Sequence, residues 1–431
     1  MRITENLKKL QSYFSDPLYI VGGYVRNTIC FGDYTGTDID ICGAYTPEEV
    51  EKILAGTDIK VVPVNPRIGT LKITVGEESY EYTCFREDSY AEGGEHTPVS
   101  VSFVKDIKLD ALRRDFTVNA VYFDIKNEKL VDPTDGIVDI DAKVLRTVAK
   151  PEKVFEEDGL RIMRLARFAA ELGFSIEERT LEVAKQLCKN LKNISGERIR
   201  MELDRILASN EKYGNKDGVR TGLALLSDLD AWQYVIPEFG VNKNNALFRG
   251  IDAAASAHPS VRLAALIHCI SESVKDFEDH EKTAKDSAEL SRVVLGHELG
   301  LKYKEMVRSE VYHLVLASGF HRCKGKSVEE IKLFVQENFV YMDKILLLIK
   351  ALEGGETPNI QAIEREYQFM KENNVPYKIS DLVLRGADVI ALGFPPIRIG
   401  EVLQTILKRS ALSGKRFSRE EELAIAESLK C

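Results

Sequence analysis

Between Leu18 and Leu145 the apolar residues fall in short runs broken by Gly, Pro and Asp: Leu18–Val21, Ile39–Cys42, Lys60–Val64, Thr70–Val75, Tyr80–Phe85, Ser100–Val104 and Val118–Phe123. Runs of that length, rich in β-branched and aromatic residues and bounded by turn formers, predict strands of a mixed α/β domain. Beyond Pro151 the spacing changes: Leu160, Met163, Leu165, Phe168 and Leu172 recur at helical intervals between charged positions, and similar patterns continue nearly to the end. The expected fold class is α/β followed by all-α. Lys150-Pro151, the segment Asn242–Asn245 and Glu353–Pro358 are the natural breaks, being clusters of small polar residues, Gly and Pro.

Composition adds bounds rather than a function. The chain has 431 residues, 44% hydrophobic and 29% charged, enough for several domains with their own cores and unlike a collagen or a wholly disordered chain. The apolar run Ile345–Ile349 is far shorter than the roughly 20 residues of a membrane helix, and no signal-peptide core opens the sequence. Seven cysteines without a CxxC pair point to a reducing, cytoplasmic setting. A net charge of −9 leaves any nucleic-acid binding to a local basic surface.

Five segments carry candidate chemistry. Val21-Gly-Gly-Tyr-Val-Arg26 follows an apolar run and opens a helix, where Gly22 and Gly23 let backbone N–H groups approach a phosphate that Arg26 could clamp; a plain turn has the same look. In Thr37-Asp-Ile-Asp-Ile41, strand alternation would put Asp38 and Asp40 side by side, a repulsive pair that Mg²⁺ relieves, or else a solvated strand face. Glu81, within Tyr80–Phe85, is a candidate third carboxylate or a surface residue. Arg113-Arg-Asp-Phe-Thr-Val-Asn-Ala120 offers guanidinium forks for a triphosphate at Arg114 and an acceptor for a ribose hydroxyl at Asp115, with a surface ion-pair network as the alternative. In Glu156–Arg167, Asp158, Arg161, Arg164 and Arg167 recur every third residue, a ridge able to read a base edge or simply to meet water.

In this order the segments resemble the class II nucleotidyltransferases, the bacterial CCA-adding tRNA nucleotidyltransferases and poly(A) polymerases. The resemblance rests on GGYVR, DID, TCFRED (Thr83–Asp88), RRDFTVNA, VDPTDGIVDI (Val131–Ile140) and EDGLRIMRLARFA (Glu157–Ala169), within about the first 200 residues. It implies a DNA polymerase beta-like head at 1–145, a nucleotide-selecting helical neck at 146–205, a helical body at 206–352 and a helical tail at 353–431 that binds tRNA. It further implies that Asp38 and Asp40 hold Mg²⁺, that Gly23, Arg26, Arg114 and Asp115 bind triphosphate and sugar, and that Asp158 and Arg161, supported by Arg164 and Arg167, select CTP and then ATP. Ser195–Arg200 matches a later neck motif of structural character.

The implied reaction is attack by a tRNA 3′-hydroxyl on the NTP α-phosphorus, with tRNA, CTP and ATP as partners and neither DNA nor membrane. Where the family commonly has Asp after the first arginine, this chain has Asn27; the loop between Glu87 and Val99, which reads Gly93-Gly-Glu-His-Thr-Pro98, is present at about full length, which favours complete CCA addition over CC addition. Poly(A) synthesis, partial CC or A addition, and a catalytically silent RNA-binding role are the alternatives.

Two features of the helical remainder belong to the same resemblance. Arg262–Cys269 is similar to an HD-type phosphohydrolase segment but reads His268-Cys269, with no matching histidine near Phe248–Ile251 and with His280 and His321 scattered, so a scaffold without hydrolase activity is expected. Asp381–Asp388 and Gly393–Glu401 resemble the C-terminal module, and Lys408, Arg409, Lys415, Arg416 and Arg419 are candidates for phosphate contacts or a solvated helix end.

Overall fold

The computed structural model describes residues 1, 3–32, 38–91, 93–96, 98–236, 258–272, 280–296, 300–322 and 326–430. The break expected at Asn242–Asn245, the Phe248–Ile251 segment and the side chains of His280 and His321 lie outside what is described. The chain forms two units, Met1–Lys243 and Asn244–Cys431.

In the first unit, helix α1 (Glu5–Ser12) starts where the Thr4 hydroxyl accepts from the Leu7 N–H, and buries Leu7 and Leu10. Strand β1 (Tyr19–Val21) leads through Gly22 into α2 (Gly23–Phe31); β2 (Asp40–Gly43) and α3 (Pro47–Leu54) follow, the latter begun by a reciprocal Thr46–Glu49 cap. Strands β3 (Lys60–Asn65), β4 (Thr70–Val75) and β5 (Glu78–Cys84) form a meander; β6 (Arg86–Ser89) and β7 (Ser100–Phe103) pair separately. After α4 (Ile107–Leu112) come β8 (Tyr122–Asp124), β9 (Lys129–Val131) and α5 (Gly136–Ala142). The main sheet has seven strands in the order β3-β4-β5-β2-β1-β8-β9, antiparallel except for the parallel β2–β5 pair. Val21, Cys42, Phe85, Ala111, Ala120 and Tyr122 pack into one cluster that anchors the central strands and the turn after α4.

Two expected strands are corrected. Of Val118–Phe123 only the end is strand, because residues Thr117–Asn119 wind into a 3₁₀ turn in which Asn119 and Ala120 N–H groups bond back to Phe116 and Thr117 carbonyls. Strand β2 begins at Asp40, so Asp38 stands in irregular chain ahead of it rather than at i−2 on a pleat.

The helical part of this unit starts with α6 (Pro151–Glu157), α7 (Leu160–Leu172), α8 (Glu178–Gln186) and α9 (Gly196–Leu207), followed by short helices including Ser209–Lys212. Helix α7 was expected to carry Asp158 on its surface ridge, but it begins two residues later: Asp158 is extended, and its Oδ1 accepts the Leu160 N–H. Nor is the ridge solvated, since Arg161 and Arg167 are buried along with Met163, Leu165 and Phe168.

The second unit is helical throughout its described residues. Its C-terminal core gathers Leu382, Leu384, Val389, Phe394, Val402, Ile406 and Leu407. The fully buried Glu422 carboxylate accepts the Val383 and Leu384 N–H groups at 3.1 and 2.7 Å, which satisfies a chain bend that apolar packing alone would leave unpaired.

Candidate active site

The site is built where β1 ends. Gly22 has φ 78° and ψ −134°, a conformation that a Cβ would strain, and it turns the chain from β1 into α2. Antiparallel pairing sets Val21 opposite Asp40, and the parallel pairing sets Asp40 opposite Glu81. One line across three strands therefore carries the glycine turn's edge, Asp40 and Glu81. Burial by surrounding atoms, then the Glu81 charge and, more weakly, Asp38, push the Asp40 carboxyl up to about 6, against the pull of Arg114. Asp38, Asp40 and Glu81 are all exposed as residues.

Crowded carboxylate oxygens are the donor type a hard divalent cation takes, and such a cation removes the repulsion that raises Asp40. The residues fit a metal in that chemical sense. Among the described residues, no three His, Cys, Asp or Glu side chains converge closely enough to form a finished cage.

Arg114 is held in place by a residue that sequence reading missed. Asp110, wholly buried on α4, takes Arg113 Nη2 at 2.7 Å, Arg114 Nη2 at 3.0 Å and the Tyr122 hydroxyl at 2.8 Å. Burial alone would raise the Asp110 carboxyl; Arg114, Arg113 and Tyr122 outweigh it and bring it to about 2. The other arm of Arg113, Nη1, lies 3.8 Å from Asp88, which itself pairs with Arg86 at 2.9 Å. The available signal was the i, i+3 and i, i+4 spacing of Asp110 to the arginine pair.

The stabilising effect of Asp110 has a pH signature. Its folded value lies below the ordinary 3.8, so its contribution is complete above that value and is lost as pH falls towards about 2. We expect Asp110→Asn to cost about 3 kcal/mol or more at neutral pH, because the half-buried Arg114 loses its carboxylate partner and Arg113 its nearer one. Urea unfolding from pH 6 to pH 2 would show a shallower slope below pH 4 for the variant; parallel curves would contradict the assignment.

Asp115 is also buried, and it joins the head to α7. Its Oδ2 accepts Arg164 Nη2 at 2.6 Å and Nε at 2.8 Å; Oδ1 accepts the Phe116 N–H and Asn119 Nδ2. These contacts overcome burial and hold it well below the usual carboxylate range. Asn119 then accepts Arg26 Nη1 on its Oδ1 at 2.5 Å. Arg26, only 3% exposed, donates from Nε and Nη2 to Asn27 Oδ1, whose own amide donates to the Tyr213 hydroxyl at 3.0 Å.

On the far side Arg164 faces Glu202 at 3.9 Å, Arg167 binds Glu202 at 2.6 Å and Glu171 at 3.1 Å, and Lys212 reaches Glu171 at 3.5 Å. The contacts close a polar circuit from Tyr213 back to its neighbour Lys212. At its centre lies Phe168, with the Arg26, Arg164 and Arg167 guanidiniums 5.1, 5.3 and 3.9 Å from its ring centroid.

Asp158 and Arg161 come together with a loop. His96 Nδ1 is 2.8 Å from Asp158 Oδ2, and Arg161 Nε is 3.9 Å from the same oxygen. Gly159 N–H bonds the Gly94 carbonyl and Asn193 bonds the Gly93 carbonyl, so the loop is seated on the start of α7. Arg161 Nη1 donates to the Val154 carbonyl and Glu157, and Nη2 to the Arg113 carbonyl at 2.6 Å.

Residues 18–146 match the Poly A polymerase head domain, and residues 173–241 match the probable RNA and SrmB-binding site of polymerase A. A CCA-adding enzyme of Streptococcus pneumoniae serotype 19F is 32% identical over 319 residues, 72% of this chain and 76% of that protein. The chain belongs to the CCA-adding enzyme family. The CCA-adding enzyme of Lactococcus lactis subsp. cremoris MG1363 is 38% identical over 225 residues, 51% of this chain and 52% of that protein. The Bacillus stearothermophilus CCA-adding enzyme, solved with CTP, shares the fold at TM-score 0.74 over 99% of this chain and 98% of its own, with 24% identity. The Thermotoga maritima CCA-adding enzyme, solved with tRNA, superposes at TM-score 0.65 with 21% identity over 100% of this chain and 97% of its own. A nucleotidyltransferase head followed by a helical body is thus the fold of this CCA-adding enzyme family member, and divalent-metal dependence comes with the family.

Two further expectations meet the geometry of the second unit. His268 is 2% exposed, with Nδ1 3.1 Å from Ser318 Oγ and Nε2 3.3 Å from Arg322 Nη1, so both ring nitrogens are engaged by protein. The basic residues near the C-terminus are largely committed: Lys415 to Glu421 at 2.7 Å, Arg419 to Asp388 at 2.5 Å, Lys408 to Glu337 at 3.7 Å and Arg416 to the Asp381 carbonyl. No described helix is long and apolar enough to cross a membrane.

Proposed function

We propose that this protein adds CCA to the 3′ end of tRNA from CTP and ATP without a nucleic-acid template. The observation that carries the reading is the strand register that aligns Asp40 with both the β1 end before the glycine turn and Glu81. Mg²⁺, held by Asp38 and Asp40 with Glu81 beside them, supplies charge neutralisation at the reacting phosphate when bound.

The chain's own residues do the rest. Gly22 and Gly23 present the first N–H groups of α2 to the triphosphate, and Arg26 and Arg114 place positive charge beside it. Asp115 fixes Arg164 and orders the segment that faces the sugar. Asp158 and Arg161 offer an acceptor and a donor to the base edge, with the His96 loop covering that carboxylate until a base takes its place. The 3′-hydroxyl oxygen bonds to the α-phosphorus as the bond to the β-phosphate oxygen breaks, and pyrophosphate leaves. Arg164 and Arg167 hold the reading residues from behind. We place the reaction in the cytoplasm, in keeping with the unpaired thiols of Cys30, Cys42, Cys84 and Cys188.

Nucleotides supplied singly test the reading. CTP alone should extend a tRNA ending at its discriminator base by two residues, and ATP alone should extend only a tRNA ending in CC, by one. A long tail from ATP alone would assign poly(A) synthesis instead.

A further inference from the structure

The buried Arg26 guanidinium is steered by a residue far along the chain. Among the described residues it meets no carboxylate within ion-pair distance; its acceptors are Asn119 Oδ1, Asn27 Oδ1 and the Tyr213 hydroxyl, the last 3.4 Å from Nη2. Tyr213 also accepts from Asn27 Nδ2, so one hydroxyl touches both members of the Arg26–Asn27 pair.

Its position is set twice over. Its ring stacks on Phe31 at the end of α2, with centroids 5.2 Å apart and planes 17° apart, and its neighbour Lys212 is tied to Glu171 on α7. The residue thus spans from the helix that carries Arg26 to the helix that follows Asp158.

We propose that Tyr213 is a positioning residue for nucleotide binding: its hydroxyl locks the Asn27–Arg26 pair so that the guanidinium meets the triphosphate in one orientation. Two amides grip the guanidinium, Asn119 at Nη1 and Asn27 at Nε and Nη2; the Tyr213 hydroxyl accepts from the Asn27 amide and lies against Nη2, so it fixes the direction of the second grip before the nucleotide arrives. The effect belongs to the phosphates and not to the base, because the Tyr213 hydroxyl bonds the Arg26–Asn27 pair and its ring stacks on the helix that carries them. The inference rests on reading Arg26 as a triphosphate-binding residue.

Tyr213→Phe keeps the ring against Phe31 and removes only the hydroxyl. We expect KM for CTP and for ATP to rise by similar factors, roughly three- to ten-fold, with kcat, KM for tRNA and the order of addition retained. A structural role alone would instead lower kcat or the melting temperature without this split.

Arg26→Lys and the double variant complete the test. If Tyr213 acts through Arg26, adding Tyr213→Phe to Arg26→Lys causes no further rise in KM. An unchanged nucleotide KM in Tyr213→Phe, with a raised one in Arg26→Lys, overturns the inference and leaves the triphosphate reading standing. An unchanged KM in Arg26→Lys overturns both. Fully independent effects in the double variant also contradict the inference.

Discussion

Asp38→Ala is expected to lower nucleotide incorporation by on the order of 10³-fold or more, with folding stability changed by no more than about 0.5 kcal/mol. Asp38 is exposed and precedes β2, so truncating it opens no core and breaks no ladder hydrogen bond. Its charge opposes ionisation of Asp40, and its loss relieves that repulsion. A large loss of activity with an unmoved unfolding midpoint is the signature of a carboxylate kept for chemistry. Incorporation of labelled CTP alongside urea unfolding of the same preparation checks both halves. A variant of normal activity would remove Asp38 from the metal site.

Arg161→Ala should act on choice as well as on stability. A donor paired with a neighbouring acceptor discriminates between bases by about 1–3 kcal/mol, so preference for CTP and ATP over UTP and GTP should fall roughly ten- to hundred-fold. The same guanidinium holds the Val154 and Arg113 carbonyls, and losing these buried contacts should cost about 1–3 kcal/mol of stability. Single-turnover rates with each of the four NTPs, measured well below the unfolding temperature, separate the two effects. An equal loss with all four would mean that Arg161 serves only as a brace between α7 and the Arg113 turn.

The short-range features of this site were legible along the chain because they depend on local periodicity. Gly23 opens α2 as its place after an apolar run indicates, and Asp40 lies on a strand with Ile41 buried beneath it. Ladder register is a different matter. That Glu81 faces Asp40 follows from a parallel pairing between strands separated by α3 and a meander, and no local pattern dictates it.

The same limit explains Asp158, whose side chain ends the approach to α7 by accepting the Leu160 N–H instead of riding on the helix, an outcome decided by the extended chain at 158. Asn119 and Tyr213 gave no chemical signal at all: an amide and a phenol look ordinary until folding puts Arg26 between them. For the arginines after Asp158, the spacing alone leaves a base-reading ridge and a solvated face open, since charge usually marks solvent. Here Glu202 and Glu171, supplied from α9 and from α7 itself, neutralise Arg167 inside the unit and make its burial tolerable.

CCA addition is decided by the sequence of the 3′ ends made when the protein, a divalent metal and all four NTPs act on tRNA ending at the discriminator base. CCA followed by termination is the expected product. Ends that stop at CC, ends that carry a run of A, or unextended tRNA beside a folded protein would contradict it.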